Sequence, residues 1–160
     1  MVEERPELNF VARNRKARHD YSIEDTVEAG IELRGSEVKS IREGKINLSD
    51  SYAIIERGQP ILKNLHISPY KMASSHETLD PIRDRRLLLH KREIRKLTAK
   101  TDQKGMSLIP LAVYFKGSLC KIELGLGIGR RKYDKRDAIS EADAKRRISR
   151  AMKQDVKRKP

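Results

Sequence analysis

The sequence has little cysteine and few aromatic residues: one cysteine, no tryptophan, and 4% aromatic residues overall. A single cysteine excludes an internal disulfide and fits a reducing compartment, so we expect a cytoplasmic protein. Cys120 lies in an apolar stretch between Leu119 and Ile122. It is therefore predicted to fill the core and not to act as a nucleophile.

Long hydrophobic runs are also missing. No run of about 18 apolar residues is present, so no membrane span and no membrane partner are expected. The first 20 residues are polar and contain Glu3, Glu4 and Glu7, so they lack the apolar region of a signal peptide. A length of 160 residues suggests one domain with a possible appendage in the charged C-terminal region.

The residue patterns of common catalytic and metal sites are absent. The four histidines have no metal-ligand spacing and no second cysteine to join them; they are His19, His66, His76 and His90. The spacing of the acidic residues does not mark a catalytic carboxylate pair. The alternation of Gly125, Gly127 and Gly129 lacks the spacing of a nucleotide-binding loop, and it is typical of a strand that another backbone approaches closely. We predict no catalytic residue, no metal and no cofactor.

Positive charge is what the sequence has in excess. The 36 Lys and Arg residues outnumber 23 Asp and Glu, which gives a net charge of +13 and a pI near 10.0. Residues 130–160 alone hold 13 basic and 5 acidic residues, and no aromatic residue follows Tyr133. Such a segment cannot bury enough surface to fold alone, but it can neutralise phosphates. A nucleic-acid partner is therefore expected.

The basic segment also carries a weak helical pattern. Ser140 and Asp143 have the spacing of a capping box, and Ala144, Ile148 and Met152 then recur every four residues. This stripe is too narrow to hold a helix in free solution. We predict a tail, residues 130–160, that is disordered when free and helical on RNA. The cations around the stripe are Lys145, Arg146, Arg147, Arg150 and Lys153.

Local patterns upstream predict a mainly β domain over residues 1–129 that includes an N-terminal basic arm. Residues 1–20 are predicted to be an extended arm, in which Val11 and Ala12 add to a sheet edge. Strict alternation predicts a strand over Thr26–Arg34. Ser36 is the predicted N-cap of a short helix, Glu37–Glu43, which Gly44 ends.

Two hairpins and a further helix follow. The hairpin strands are predicted at Tyr52–Glu56 and Ile61–Ile67, and at Met106–Phe115 and Leu119–Ile128. A helix is predicted from Lys91 to a stop at Gly105. Five or six strands with short helices favour a small closed β-barrel of the oligonucleotide-binding type, although strand count alone does not separate it from an SH3-like barrel.

Basic residues cluster where an RNA-binding protein needs them. Arg13–Tyr21 holds four cations, an amide, a histidine and a tyrosine, which suit phosphate contact and base stacking. Lys39, Arg42 and Lys45 form a second group. A third group, which includes solvated helix positions, comprises Arg83, Arg85, Arg86, Lys91, Arg92, Arg95 and Lys96. Glu28, on the polar face of its strand, is either a surface ion-pair partner or an acceptor for a base.

These segments together resemble the SmpB family of tmRNA-binding proteins. Five stretches carry the resemblance in family order: Asn14–Tyr21, Gly35–Arg42, Gly44–Tyr52, Asp84–His90 and Asp134–Arg136. The resemblance implies an oligonucleotide-binding-type barrel that binds the tRNA-like end of tmRNA. It further implies delivery, with the elongation factor EF-Tu, to stalled ribosomes, where the tail occupies the decoding centre and the empty mRNA channel. It implies a monomer when free and no catalysis.

The resemblance also implies site residues. Asn14, Glu28 and Leu88 occupy positions that the family uses for tmRNA binding. Cations and rings in or beside the matched motifs are assigned to the same RNA: Arg13, Lys16, Arg18, His19, Tyr21, Lys39, Arg42 and Lys45. The hinge and the start of the ribosome-reading tail fall on Gly129, Arg130, Arg131, Lys132, Tyr133, Asp134, Lys135 and Arg136.

Two other functions are compatible with parts of the sequence. A general RNA-binding or ribosome-assembly protein would use the same barrel without preferring tmRNA. An RNA-processing enzyme would use one of the histidines, but no constellation of residues supports that alternative. Tyr133 stands where some family members carry histidine, which speaks against a proton-transfer role for the tail.

Overall fold

The computed structural model describes residues 8–72 and 79–130. The chain divides into two units, Met1–Ile128 and Gly129–Pro160, and nearly all of the described residues belong to the first. The described strands are β1 Leu8–Arg13, β2 Tyr21–Ile31, β3 Ile46–Asn47, β4 Tyr52–Glu56, β5 Gln59–Lys63, β6 His66–Ile67, β7 Arg85–Leu88, β8 Ser107–Lys116 and β9 Leu119–Gly129. The described helices are α1 Arg15–Asp20, α2 Gly35–Arg42 and α3 Lys91–Lys104. None of these helices is long and apolar enough to cross a membrane.

Six strands form a closed ring. Their order is β8-β4-β5-β7-β2-β9, and β9 pairs back onto β8. The ring surrounds a core that includes Ile41, Leu62, Leu65 and Ile122, all fully buried. Strands β3 and β6 form a separate pair. The mainly β fold with a closed sheet and short helices is thus confirmed.

Residues 8–20 of the predicted N-terminal arm are partly extended and partly helical, and residues 1–7 lie outside the described residues. Strand β1 adds antiparallel to β8, as predicted from Val11 and Ala12. The prediction of an extended segment to residue 20 is wrong, because α1 forms over Arg15–Asp20. Its N-cap is Asn14, whose side-chain oxygen accepts a hydrogen bond from the N–H of Ala17 at 3.1 Å. This cap supplies the local signal for a helix start.

A β-bulge in β8 decides which side chains face the core. The register with β9 shifts between Pro110 and Ala112. Before the shift, Ile109 and Leu111 belong to a second cluster with Ala17 of α1. After it, Val113 and Phe115 belong to the main core. Because an extra residue reverses the alternation of a strand, the bulge lets β8 seat α1 on one side and fill the ring on the other.

Several predicted boundaries move. The strand expected over Thr26–Arg34 is β2, which begins at Tyr21 and ends at Ile31. Ser36 is not the N-cap of α2, because the backbone N–H of Arg34 donates to Glu37 at 2.9 Å and the helix already begins at Gly35.

The predicted turns are confirmed. The β4–β5 hairpin turns at Arg57 and Gly58, with φ of 51° and 74°, which suits the right-handed twist of paired strands. The β8–β9 hairpin turns at Gly117, with φ of 64°. Helix α3 ends at Gly105, whose φ of 61° is the left-handed cap that glycine favours.

The glycine strand behaves as its sequence indicates. A Cβ on Gly127 would lie 2.6 Å from the backbone oxygen of Ser22, so β2 can approach β9 only because this side chain is missing. Cys120 is half-buried and packs against the core, as predicted. Burial raises the pKa of its thiol to about 11, which leaves it unreactive at neutral pH.

Candidate nucleic-acid interface

The outer face of β2 and β7 holds a groove that joins two residues predicted for RNA binding, Glu28 and Leu88. Its volume is about 620 Å³. It is lined by Thr26, Val27, Glu28, Gly30, Leu88, Leu89, His90, Glu93 and Lys121. Glu28 and Leu88 are 60 positions apart in sequence, and the pairing of Gly30 with Leu88 brings their strands together.

Leu88 is an exposed apolar contact and not a core residue. It is 60% exposed, whereas its neighbour Leu87 is 1% exposed, as alternation along a strand requires. A Cβ on Gly30 would lie 3.1 Å from the Cβ of Leu88. Because Gly30 has no side chain, Leu88 can pack against β2 at this position. The result is an apolar surface beside a carboxylate, which suits contact with the face and edge of a base.

Glu28 is held by two neighbours on β8. Its carboxylate accepts a hydrogen bond from the hydroxyl of Tyr114, and Lys116 Nζ lies 3.6 Å from its other oxygen. Burial and the bond to Glu28 raise the pKa of Tyr114, so the hydroxyl remains a donor. Ion-pair partnership is the simpler of the two interpretations of Glu28. The carboxylate is nevertheless partly exposed, so it keeps acceptor capacity toward the groove.

The same outer face continues across β9, β8 and β1. Tyr114 packs against Phe10 with ring centroids 5.2 Å apart, and the Arg13 guanidinium lies 4.1 Å from the Phe10 centroid. Arg18 of α1 pairs with Glu123 of β9 at 3.5 Å. Sequence reasoning assigned Arg13 and Arg18 to RNA but missed Phe10, which is 38% exposed and covers the 4% exposed Tyr114. The apolar run that predicted β8 gave no sign that Tyr114 packs against Phe10 of β1 while Phe115 packs in the main core.

Asn14 has a different setting from the other predicted site residues. Its side chain is 4% exposed, and its amide donates to the carbonyls of Pro110 at 2.9 Å and Leu48 at 3.2 Å. The oxygen caps α1 through Ala17. All of its polar atoms are therefore bonded within the protein. The Asn14 side chain therefore fixes the start of α1, the helix that carries Arg18, and its assignment to direct RNA contact stays a prediction.

The remaining predicted cations do not gather on this face. Lys16 lies 3.6 Å from Asp50, and Lys45 lies 3.0 Å from Glu43. Both are surface pairs of small energetic value, so these lysines remain available to other anions.

Two cations of α2 lie over aromatic rings. Lys39 is 5.5 Å from the Tyr70 centroid, and Arg42 is 4.3 Å from that of Phe115. This packing orients the side chains on α2.

The two predicted stacking residues in the arm also differ from one another. His19 is exposed, with Nδ1 3.3 Å from an oxygen of Asp20. Tyr21 is half-buried and packs against the cluster of Ala17, Ile109 and Leu111. Of the two rings, only His19 is freely presented to solvent.

The third basic group contains a buried ion-pair network that the sequence did not reveal. Arg85 is 1% exposed, and its guanidinium lies 2.6 Å from an oxygen of Glu37, itself 4% exposed. Arg83 also donates to Glu37, and Arg85 donates to the carbonyl of Leu65 at 2.6 Å. The network ties α2 to β7, so these two arginines are structural.

The acidity of Glu37 reflects that network. Burial alone would raise the pKa of this carboxyl, but the hydrogen bonds from Arg83 and the Arg34 N–H and the charge of Arg85 outweigh it. The pKa of Glu37 therefore lies below its ordinary value.

Residues 8–72 and 79–130 contain no group of three or more His, Cys, Asp or Glu residues able to hold a metal ion. Gly129 ends β9, and Arg130 is exposed. The other predicted tail residues lie outside the described residues: Arg131, Lys132, Tyr133, Asp134, Lys135, Arg136, Lys145, Arg146, Arg147, Arg150 and Lys153. His76 lies outside them as well.

The class of protein follows from three features: a strongly basic chain, a closed β-sheet, and an outer face that carries aromatic, apolar and charged side chains. Together they define a small, mainly β nucleic-acid-binding protein. Comparison with known proteins narrows the class. The model of the SmpB protein family matches residues 11–154, and the chain belongs to that family.

Individual relatives agree along nearly the whole chain. An "SsrA-binding protein" of Halothermothrix orenii is 55% identical over 147 residues, which cover 92% of this chain and 94% of the relative. One from Clostridium acetobutylicum is 53% identical over 153 residues, covering 96% and 98%. A solved structure described as "tmRNA-SmpB: a journey to the center of the bacterial ribosome" has a chain 49% identical, with a TM-score of 0.63, covering 74% of this chain and 83% of that one.

Proposed function

We propose that this protein binds the tRNA-like domain of tmRNA and brings it to stalled ribosomes for trans-translation. The observation that carries the proposal is the outer groove that joins Glu28 and Leu88 in a chain of the SmpB family. The relatives' name, SsrA-binding protein, and the ribosome-bound structure of a 49% identical chain support it. The protein acts as an adaptor, as a monomer, and catalyses no reaction of its own.

In this function the first unit binds tmRNA and the second unit binds the ribosome. The outer face of β7, β2, β9, β8 and β1 binds the tRNA-like domain. The basic tail from Gly129 onward, net charge +8 over residues 130–160, reads the empty decoding centre and mRNA channel through phosphate contacts. Delivery occurs together with EF-Tu.

The groove is tested by Glu28→Gln, which keeps the shape of the side chain and removes its charge. If the carboxylate accepts hydrogen bonds from RNA, the variant should bind the tRNA-like domain about 10-fold more weakly or worse, as loss of a charge-assisted bond implies. Glu56→Gln is the matched control, because Glu56 is an exposed strand glutamate outside the groove. Removing that negative charge should leave affinity unchanged or slightly higher.

A second pair of variants tests the apolar part of the groove. Leu88→Asn should weaken binding, whereas Ile82→Asn should not, since Ile82 is similarly exposed, at 50%, but lies outside the groove. Affinities are measured by fluorescence anisotropy, with thermal melting to verify folding. Equal losses for the matched variants would contradict the assignment of this face.

The division of work is tested by truncation after Gly129. The truncated chain should keep its affinity for the tRNA-like domain and lose tagging of stalled peptides in a reconstituted translation system. Competition against bulk tRNA tests specificity. Equal affinity for the two RNAs, with a steep salt dependence, would instead identify a general RNA-binding protein.

A further inference from the structure

A second pocket lies where β2 ends and β7 begins, the two strands that also hold the Glu28–Leu88 groove. Its volume is about 340 Å³, and it is lined by Glu32, Leu33, Arg34, Arg83, Asp84 and Arg86. None of these residues belongs to the groove. The lining is almost entirely charged, in contrast to the mixed lining of the groove. Its ligand is therefore expected to be ionic.

The pocket continues the groove along one surface. Along β7, Arg85 and Leu87 are buried, whereas Arg86 and Leu88 are exposed. Because side chains alternate along a strand, Arg86 and Leu88 share the outer face of β7. On the neighbouring chain segment, Glu32 follows the end of β2, and its N–H donates to the carbonyl of Arg86 at 3.0 Å. A ligand that lies in the groove therefore reaches the pocket after about two residues of strand, roughly 7 Å.

The ion pairs of the pocket residues show which of its arginines can bind an anion. Arg83 is committed to Glu37. Asp84 is committed to Lys63, whose Nζ lies 2.7 Å from its carboxylate. Within the described part of the chain, Arg34 and Arg86 form no ion pair. Two guanidinium groups thus face a pocket in which Glu32 is the remaining acid.

We propose that this pocket binds the phosphate backbone of the RNA whose bases occupy the Glu28–Leu88 groove, with Arg34 and Arg86 as the phosphate ligands. The inference rests on the proposed function for the identity of that RNA. Guanidinium groups suit the role because they present several donors in a plane and match phosphate oxygens with two bonds at once. Glu32 lines the same pocket, so its negative charge opposes the binding of a phosphate.

The proposal predicts effects of opposite sign at neighbouring positions. Arg34→Gln with Arg86→Gln should weaken binding to the tRNA-like domain about tenfold, and it should flatten the plot of log affinity against log salt by about one for each arginine that holds a phosphate. Glu32→Gln should tighten binding. Arg57→Asn is the control for loss of an exposed arginine, because asparagine tolerates the positive φ of 51° in that turn.

The measurement is fluorescence anisotropy of the full-length protein from about 50 to 300 mM salt, with labelled tRNA-like domain and with labelled tRNA. Three results would overturn the proposal. The salt slope of the double arginine variant could be unchanged, it could change only as much as that of Arg57→Asn, or Glu32→Gln could bind RNA more weakly than wild type. If wild-type protein does not bind the tRNA-like domain more tightly than tRNA, the proposed function fails. The change in salt slope with either RNA still shows whether Arg34 and Arg86 bind phosphate. Thermal melting verifies that each surface variant is folded.

Discussion

The buried pair of Glu37 and Arg85 offers the sharpest test of how the fold is held together. Glu37→Gln keeps the size of the side chain and removes the charge that Arg83 and Arg85 surround. Arg85 would then remain at 1% exposure without the carboxylate that it bonds. Breaking a buried ion pair by removing one partner costs about 3–5 kcal/mol. In a domain of this size that corresponds to a melting temperature lower by roughly 10–20 °C.

The assay is urea denaturation followed by circular dichroism, on wild type, Glu37→Gln and a matched control. The control is Asp25→Asn, since Asp25 also pairs with two cations, Lys96 at 3.3 Å and Lys100 at 3.7 Å, but on the surface. An exposed pair contributes less than about 1 kcal/mol. A cost for Glu37→Gln as small as that of Asp25→Asn would refute the claim that burial makes this network strong.

The same network sets a pH dependence. Because the folded pKa of Glu37 lies below the ordinary value of 4.5, the carboxylate contributes stability above that value. The contribution is lost as pH falls through the folded pKa. Wild type should therefore lose stability below about pH 4.5 more steeply than Glu37→Gln. Parallel curves for the two proteins between about pH 5 and pH 3 would show that Glu37 is not the linked group.

Three further predictions concern single residues. Gly127→Ala should cost about 2 kcal/mol or more by thermal melting, because its Cβ would meet the Ser22 oxygen at 2.6 Å, whereas Gly35→Ala, with nothing within 4 Å, should be near neutral. Cys120, with a thiol pKa of about 11, should react slowly with iodoacetamide at about pH 8 and at the free-cysteine rate in denaturant. Asn14→Ala should lower the free energy of unfolding by about 2–4 kcal/mol, because the variant loses the cap of α1 and leaves the carbonyl of Pro110 without its donor. If this variant also binds RNA more weakly, a second substitution that restabilises α1 should restore the affinity.

The sequence alone determined the local elements and the general kind of partner. Alternation, turn glycines and the spacing of apolar residues depend on neighbours in the chain, so β2 from Thr26 onward, the turns of both hairpins and the Gly105 stop of α3 were predictable. The strand predicted over Ile61–Ile67 is instead divided between β5 and β6, because β6 pairs with β3 in a separate sheet. The charge of +13 indicated a polyanion. Family motifs indicated which RNA. The helix over Arg15–Asp20 was missed because its cap, Asn14, was interpreted only as an RNA ligand.

Only the tertiary structure decided which side chains share a surface and which of them are free. Ring closure brings β7 beside β2, so Glu28 and Leu88 line one groove despite their separation in sequence. The bulge in β8 reverses its alternation, which no count of apolar residues reveals. Among like-charged neighbours, Arg85 is buried in an ion pair and Arg86 is exposed, because one faces into the ring and the other away from it. Residue type gives Arg85 and Arg86 the same charge, and only strand pairing decides that one meets a buried carboxylate while the other faces solvent.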